Sequence, residues 1–257
     1  MKNISFKVFV SSHCLELLED MCRESCLGTD IVRDERMPAV CILSINTSDY
    51  VTDDIIVQIG ETIQCFHEKI FSHIKEKIGI KVDIEIVVTD LDDTPIPGVL
   101  FPAEYISLVS ELEIQTRFHL MINSSTKRGL INSGAYLYIE SDNEIDVTRL
   151  NRIARTDPSI VYRKGCMGRY RVVDYNAWGL EVTNEDKMPD APALELMQKL
   201  RNAKEIGNYC EKNHLESHVD ITCYSISSEP LYFQIEPSFF TFLKELRVRY
   251  IDFDFMY

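Results

Sequence analysis

Two stretches of this chain end in the same way, and that echo constrains the fold more than any other feature. Val82-Asp83-Ile84 returns as Val219-Asp220-Ile221, Phe101-Pro102 as Glu236-Pro237, and Glu111-Leu112-Glu113-Ile114 as Glu245-Leu246-Arg247-Val248. The offsets are 137, 135 and 134 residues, the drift that small loop deletions produce when element order is kept. The chain therefore reads as a tandem duplication, residues 1–125 and 126–257. The expected fold class is α+β: two tandem β-α-β-α-β-α-β units, with mixed or antiparallel sheets and helices packed mainly on one face. At 257 residues there is length for one large core or two small ones.

Hydrophobic periodicity gives the elements of each unit. In the first, Ile4–Val10 alternates as a strand, and Leu15, Leu18, Cys22 and Cys26 mark a helix that Gly28 ends. Thr29–Met37 reads as a charged surface connection, and Ala39–Asn46 as a buried strand. Ile55, Ile59, Ile63, Phe66, Ile70, Ile74 and Ile78 then predict an amphipathic helix of about six turns. A strand at Val82–Thr89, a short helix at Pro102–Glu111 and a strand at Ile114–Asn123 complete it. The second unit repeats the order. Strands are predicted at Ala135–Ser141, Arg171–Thr183, His218–Ile226 and Val248–Tyr257. Helices are predicted at Asp146–Ala154, Ala193–Lys212 and Pro237–Glu245, the last with proline in its first turn.

Charge separates the halves. Net charge is −14, and residues 1–125, with 10 basic and 21 acidic side chains, hold −11 of it. Such acidity argues against phosphate-backbone binding and suits steering toward a basic partner. The amino terminus has no continuous apolar run of the secretory kind, and nowhere is there an apolar run long enough for a membrane span. Eight cysteines scattered over a chain of this length read as reduced thiols, so a cytoplasmic location is expected.

The basic exception is Val161–Leu180, which holds Arg163, Lys164, Arg169 and Arg171 and the sole tryptophan, Trp178. A guanidinium fork beside Gly165 suits a carboxylate or phosphate. The same residues also fit a structural turn, with an arginine paired to an acid on the long helix and a glycine at positive φ. Trp178, alternating with Leu180 and Val182, reads as core. The pattern Arg163-Lys164-Gly165, Trp178-Gly179-Leu180, Pro237-Ser238-Phe239-Phe240 and Ile251-Asp252-Phe253-Asp254-Phe255 resembles a bacterial family known only as domain of unknown function 4279. The match covers nearly all of residues 133–257 and only the second half of 4–123. Cys166 stands where that family usually has an acid. The resemblance implies a fold, and it implies company among immunity proteins, which bind and block a cognate toxin.

Other groupings read as ordinary structure. His13, Cys14, Cys22 and Cys26 lack paired metal-ligand spacing. His67 and His73 are six apart on one helix, and His214 and His218 straddle a helix end and a strand start. Asp90, Asp92 and Asp93 lack the glycine and distal glutamate of a calcium loop. No nucleophile elbow, phosphate-cradling loop or zinc-protease motif is present, so no catalytic residue, cofactor or metal is expected. The expected function is partner binding of the immunity type. A protein toxin encoded next door would meet the acidic first half at Asp53, Asp54, Asp90, Asp92 and Asp93. The alternative is a small anionic ligand, or uncharacterised enzyme chemistry, at Arg163, Lys164, Arg169, Arg171 and Trp178. A third possibility is strand pairing through the terminal strand Val248–Tyr257.

Overall fold

The computed structural model of the chain describes residues 3–11, 29–33, 40–47, 83–90, 99–111, 113, 115–122, 131–167, 172–225 and 231–256. The first-half helices expected around Leu15–Cys26 and Ile55–Ile78 lie outside these residues. The described residues form an α+β fold of two six-stranded mixed sheets and five helices.

The first half supplies β1 (Asn3–Ser11), β2 (Thr29–Arg33), β3 (Val40–Thr47), β4 (Asp83–Asp90), β5 (Val99–Pro102), α1 (Ala103–Glu111) and β6 (Gln115–Ile122). The second half supplies β7 (Ile131–Ser141), α2 (Val147–Ala154), β8 (Ile160–Tyr162), β9 (Asn176–Glu185), α3 (Asp190–Lys199) and α4 (Ala203–Lys212). It continues with β10 (Glu216–Ser225), β11 (Leu231–Ile235), α5 (Pro237–Glu245) and β12 (Tyr250–Met256). The first sheet runs β11-β6-β4-β1-β3-β2 and the second β5-β12-β10-β7-β9-β8. With β1 matched to β7, β2 to β8 and so on, the two orders coincide. Directions coincide as well: β4 with β6 and β10 with β12 are parallel, and every other pairing is antiparallel.

The sheets are nevertheless not self-contained. β5, from the first half, pairs with β12 of the second, and β11, from the second half, pairs with β6 of the first. Each half lends the other an edge strand. An aromatic cluster forms where the loans cross. Phe118 of β6 lies 4.7 Å from Phe233 of β11 and 4.5 Å from Phe253 of β12, ring centre to ring centre. Phe101 of β5 stands edge-on to Phe253 at 5.6 Å and stacks on Tyr105 of α1 at 4.4 Å. All of these rings are buried. Helices α1 and α5 meet over the same crossing, joined by Ser110 to Thr241 at 3.1 Å and by Lys244 Nζ to Glu111 at 2.8 Å.

Four differences from the sequence reading have physical reasons. Thr29–Arg33 is an edge strand and not a surface connection: its Ile31-Val32 pair favours extended backbone, and pairing with β3 satisfies the backbone groups that face that strand. The strands β5, β8 and β11 are additional to the expected β-α-β-α-β-α-β order. The helix expected over Ala193–Lys212 is two helices. Leu200 leaves helical backbone (φ −110, ψ 58), and Asn202 uses its side-chain amide to hold the Ile153 carbonyl at the end of α2, at 2.9 Å. The apolar positions keep their phase across the break, so Leu196, Leu200, Ala203, Ile206 and Tyr209 are all buried. The strand expected from Arg171 starts only at Asn176, because residues before it close a turn on Arg163–Cys166, with Gly165 N donating to Val173 O at 2.7 Å.

All five helices contribute to one core cluster with the inward members of the second sheet, including Leu137, Ile139, Trp178, Leu180, Val219, Ile221, Ile251 and Phe253. The closest approach is at Gly207 of α4. A Cβ there would sit 2.2 Å from the Glu245 carbonyl oxygen and 2.9 Å from the Leu246 carbonyl carbon, both backbone atoms that cannot swing aside. Gly207→Ala is therefore expected to overpack the α4–α5 crossing and destabilise by about 2–3 kcal/mol. In a chain of this size that lowers Tm by roughly 5–10 °C, measurable by calorimetry. An unchanged Tm would mean the helices are not held this close.

Candidate functional site

Side chains alternate across a strand, so burial of one set in the core commits the other set to the opposite face of the second sheet. The set left over is unusual in kind. Pairing registers lay it out in rows. One row carries Tyr138 of β7, His218 of β10 and Tyr250 of β12. The rings of Tyr138 and His218 are 5.1 Å apart, and those of His218 and Tyr250 are 4.9 Å apart, nearly parallel in both pairs. The next row carries Glu181 of β9, Tyr136 of β7, Asp220 of β10 and Asp252 of β12. Asp254 follows beside Thr222, and Glu140 faces Glu216 at the other end. Small residues, Ala177 and Gly179, occupy the matching positions of β9. None of these residues belongs to the helix-covered core cluster, which instead takes Trp178 and Leu180, the strand neighbours of Gly179, from the opposite face.

Crowding like charges on a half-buried surface has a predictable effect on protonation. Burial, then the carboxylates of Asp252, Asp254 and Glu140, push Asp220 up to about 7. Asp252 is raised by burial and by Asp254, and Glu140 by burial, Glu216 and Asp174. Burial pushes the His218 imidazole down to about 4, against a smaller upward pull from Glu216. At neutral pH the face thus holds an uncharged imidazole between two tyrosines, beside carboxylates that repel one another. The neighbouring cation, Arg249, is already bound to Glu216 at 2.5 Å.

The first sheet differs at the matching place. Glu85, equivalent to Asp220 by strand register, stands in register between Lys7 and Arg117. Asp220 stands between Tyr136 and Asp252.

The basic loop is a second feature. A cleft of about 660 Å³ is lined by Glu144 to Thr148 at the start of α2, by Val161 and Tyr162 of β8, and by Arg163, Lys164, Asn176 and Ala177. Arg163 is exposed and makes no ion pair among the described residues, whereas Lys164 Nζ is 3.1 Å from Asp142 and its backbone N–H donates to Asn176 Oδ1. Gly165 has φ +83, the left-handed conformation that favours glycine. Asp146 caps α2 by accepting from the Arg149 N–H at 2.9 Å. Two acids therefore share the cleft with the two bases. Trp178 does not line it: it is 0% exposed, and its indole N–H donates to Asn151 Oδ1 at 2.7 Å. Arg169 and Arg171 lie outside the described residues.

Asp53, Asp54, Asp92 and Asp93 lie outside the described residues, and Asp90 closes β4 opposite Ile122. Sequence reasoning missed the acidic–aromatic face although its signal is present, in the alternations Tyr136-Leu-Tyr-Ile-Glu140, His218-Val-Asp-Ile-Thr222 and Tyr250-Ile-Asp-Phe-Asp254. Among the described residues no three His, Cys, Asp or Glu side chains group to hold a metal ion. Cys210 and Cys223 are buried free thiols pushed up to about 12 by burial, and thus unreactive. No described helix is long and apolar enough to cross a membrane. No protein-family model, curated protein or solved structure matches the chain.

Proposed function

We propose that this is a non-catalytic binding protein that captures the cationic surface of a partner protein, in the manner of an immunity protein neutralising a toxin. One observation carries the reading: Glu140, Asp220, Asp252 and Asp254 converge on a sheet face outside the helix-covered core. Their mutual repulsion is relieved by any partner that brings positive charge, and complementary charge speeds encounter and excludes wrong partners. The −14 charge of the whole chain adds long-range steering toward such a partner. The docking surface is thus assigned to the second half. The acidity of the first half, at Asp53, Asp54, Asp90, Asp92 and Asp93, belongs to the steering field. The resemblance to domain of unknown function 4279 points in the same direction, toward a toxin encoded beside this chain.

The test is co-expression with the tagged product of the neighbouring gene, followed by titration in rising salt. The complex is expected to weaken steeply with ionic strength, and Asp252→Lys with Asp254→Lys is expected to lower affinity by at least 100-fold. A complex that survives both substitutions unchanged does not use this face. A second reading, an anionic ligand held by Arg163 and Lys164, rests on the cleft beside them. It is the weaker reading, because Glu144 and Asp146 line the same space and would repel an anion.

A further inference from the structure

We propose that the face receives an arginine side chain from an extended segment of the partner, its guanidinium lying against the Tyr138–His218–Tyr250 row and forking onto Asp220 and Asp252. This rests on the reading of the protein as a binder of a cationic partner, and it names the chemistry that the site selects. Rows two residues apart along a strand are separated by roughly 6.7 Å, a distance that an extended arginine side chain spans. An aromatic row directly beside a carboxylate row favours guanidinium over ammonium. Guanidinium is planar, weakly hydrated and able to stack on rings while donating two parallel hydrogen bonds. Lysine, a compact and strongly hydrated charge, gains the Coulomb attraction but neither the stack nor the fork. Gly179 makes room for the ring of Tyr138 on the β9 side, since a Cβ there would stand 3.3 Å from Tyr138 Cδ1 and crowd the ring out of the row.

The protonation state of the face fits the same occupant. Among the described residues, the charged groups around Asp220 are Glu140 on β7, Glu181 on β9, Glu216 on β10, and Asp252 and Asp254 on β12. β5 and β8 bring Leu100, Pro102, Ile160 and Tyr162, none of them an acid or a base of the Asp or Lys kind, and Arg249 is held by Glu216. His218, kept neutral by burial, does not repel a guanidinium. Asp220, pushed up to about 7, must release its proton to bind one. Affinity for an arginine-bearing segment is therefore expected to rise about five- to tenfold between pH 6 and pH 8.

The experiment is calorimetric titration of the full chain with end-blocked eight-residue peptides, arginine alternating with glycine in one and lysine with glycine in the other. Expected results are at least tenfold tighter binding of the arginine peptide, and loss of the pH dependence in Asp220→Asn. The arginine advantage should collapse in Tyr138→Leu and persist in Tyr138→Phe. Glu205→Gln, an exposed position on α4, serves as the control for general charge. Each variant's fold is checked by the emission of buried Trp178. Equal binding of the two peptides, unaltered by Tyr138→Leu, overturns the arginine inference and leaves the acidic docking face standing. Arginine-peptide binding indifferent to both Asp220→Asn and Tyr138→Leu also overturns it. Absence of binding by either peptide, together with a natural complex indifferent to Asp220→Asn, removes both proposals.

Discussion

Residues 126–257 expressed alone are expected not to fold, and to recover a native state only when residues 1–125 are supplied, in trans if necessary. The reason is the exchange of edge strands. Without the first half, β12 loses β5 and its pairing from Val99 to Pro102. Phe253 loses both Phe101 and Phe118, and β11 has no β6 to join. Leu231, Phe233, Ile235 and Phe253, all buried in the intact chain, become solvent-exposed or lose their partners. At about 1.5–3 kcal/mol for each such side chain, the loss is comparable to the whole stability of an ordinary domain, about 5–15 kcal/mol. An unpaired β12 edge beside exposed aromatics also invites aggregation. The sole tryptophan gives a clean readout. The isolated fragment should show solvent-shifted Trp178 emission and no cooperative melt, and mixing with the first half should restore both. Cooperative unfolding of 126–257 by itself, with native Trp178 emission, would show the exchange to be incidental.

The second large effect concerns pH. Asp220→Asn is expected to stabilise the protein at pH 8 and to do so progressively less toward pH 4. Asp220 in the folded state titrates near 7 and in the unfolded chain near its ordinary 3.8. Between those values the folded state binds more protons than the unfolded one, so stability falls as pH rises through that window and the penalty is complete above about 7. Asparagine keeps the shape and carries no charge, so it removes the penalty. The shift converts at about 1.4 kcal/mol per pH unit. Discounted for the solvent that reaches a half-buried group, the gain at pH 8 is on the order of 2–3 kcal/mol, or roughly 4–10 °C in Tm. Melting curves of both proteins from pH 4 to pH 8 decide it. Parallel curves at every pH would place Asp220 in ordinary solvent. A variant that is more stable yet binds its partner less well is the signature expected of a residue kept for function.

Elements with long, regular patterns are legible in the amino-acid sequence. α5 begins at Pro237 because proline suits a helix's first turn, and α2 follows Asp146 because that side chain caps it. The exchanged strands β5 and β11 are not legible, being four and five residues long, too short to show a period. Their partners are supplied from the other half, which no local pattern records. The sequence echo is also imperfect. Pairing of β4 with β6 and of β10 with β12 aligns Ile84-Glu85-Ile86 with Val219-Asp220-Ile221, so the two Val-Asp-Ile triplets are two residues out of register. Charge misleads for a related reason. Summing over residues 1–125 locates an excess, but a sum does not say where carboxylates gather. Asp220 and Asp252 lie 32 positions apart in sequence, and only the adjacency of β10 and β12 makes them neighbours.

The loaned strands also set a timetable for synthesis. A ribosome releases the chain from its amino terminus, and domains usually fold as they emerge. Here β6 waits for β11, and β5 waits for β12, whose Ile251 pairs with Phe101. The first sheet cannot close before Ile235 has been made, nor the second before Met256. The nascent first half spends that interval with its β6 edge open, a period in which chaperone capture or pairing with a neighbouring nascent chain competes with completion.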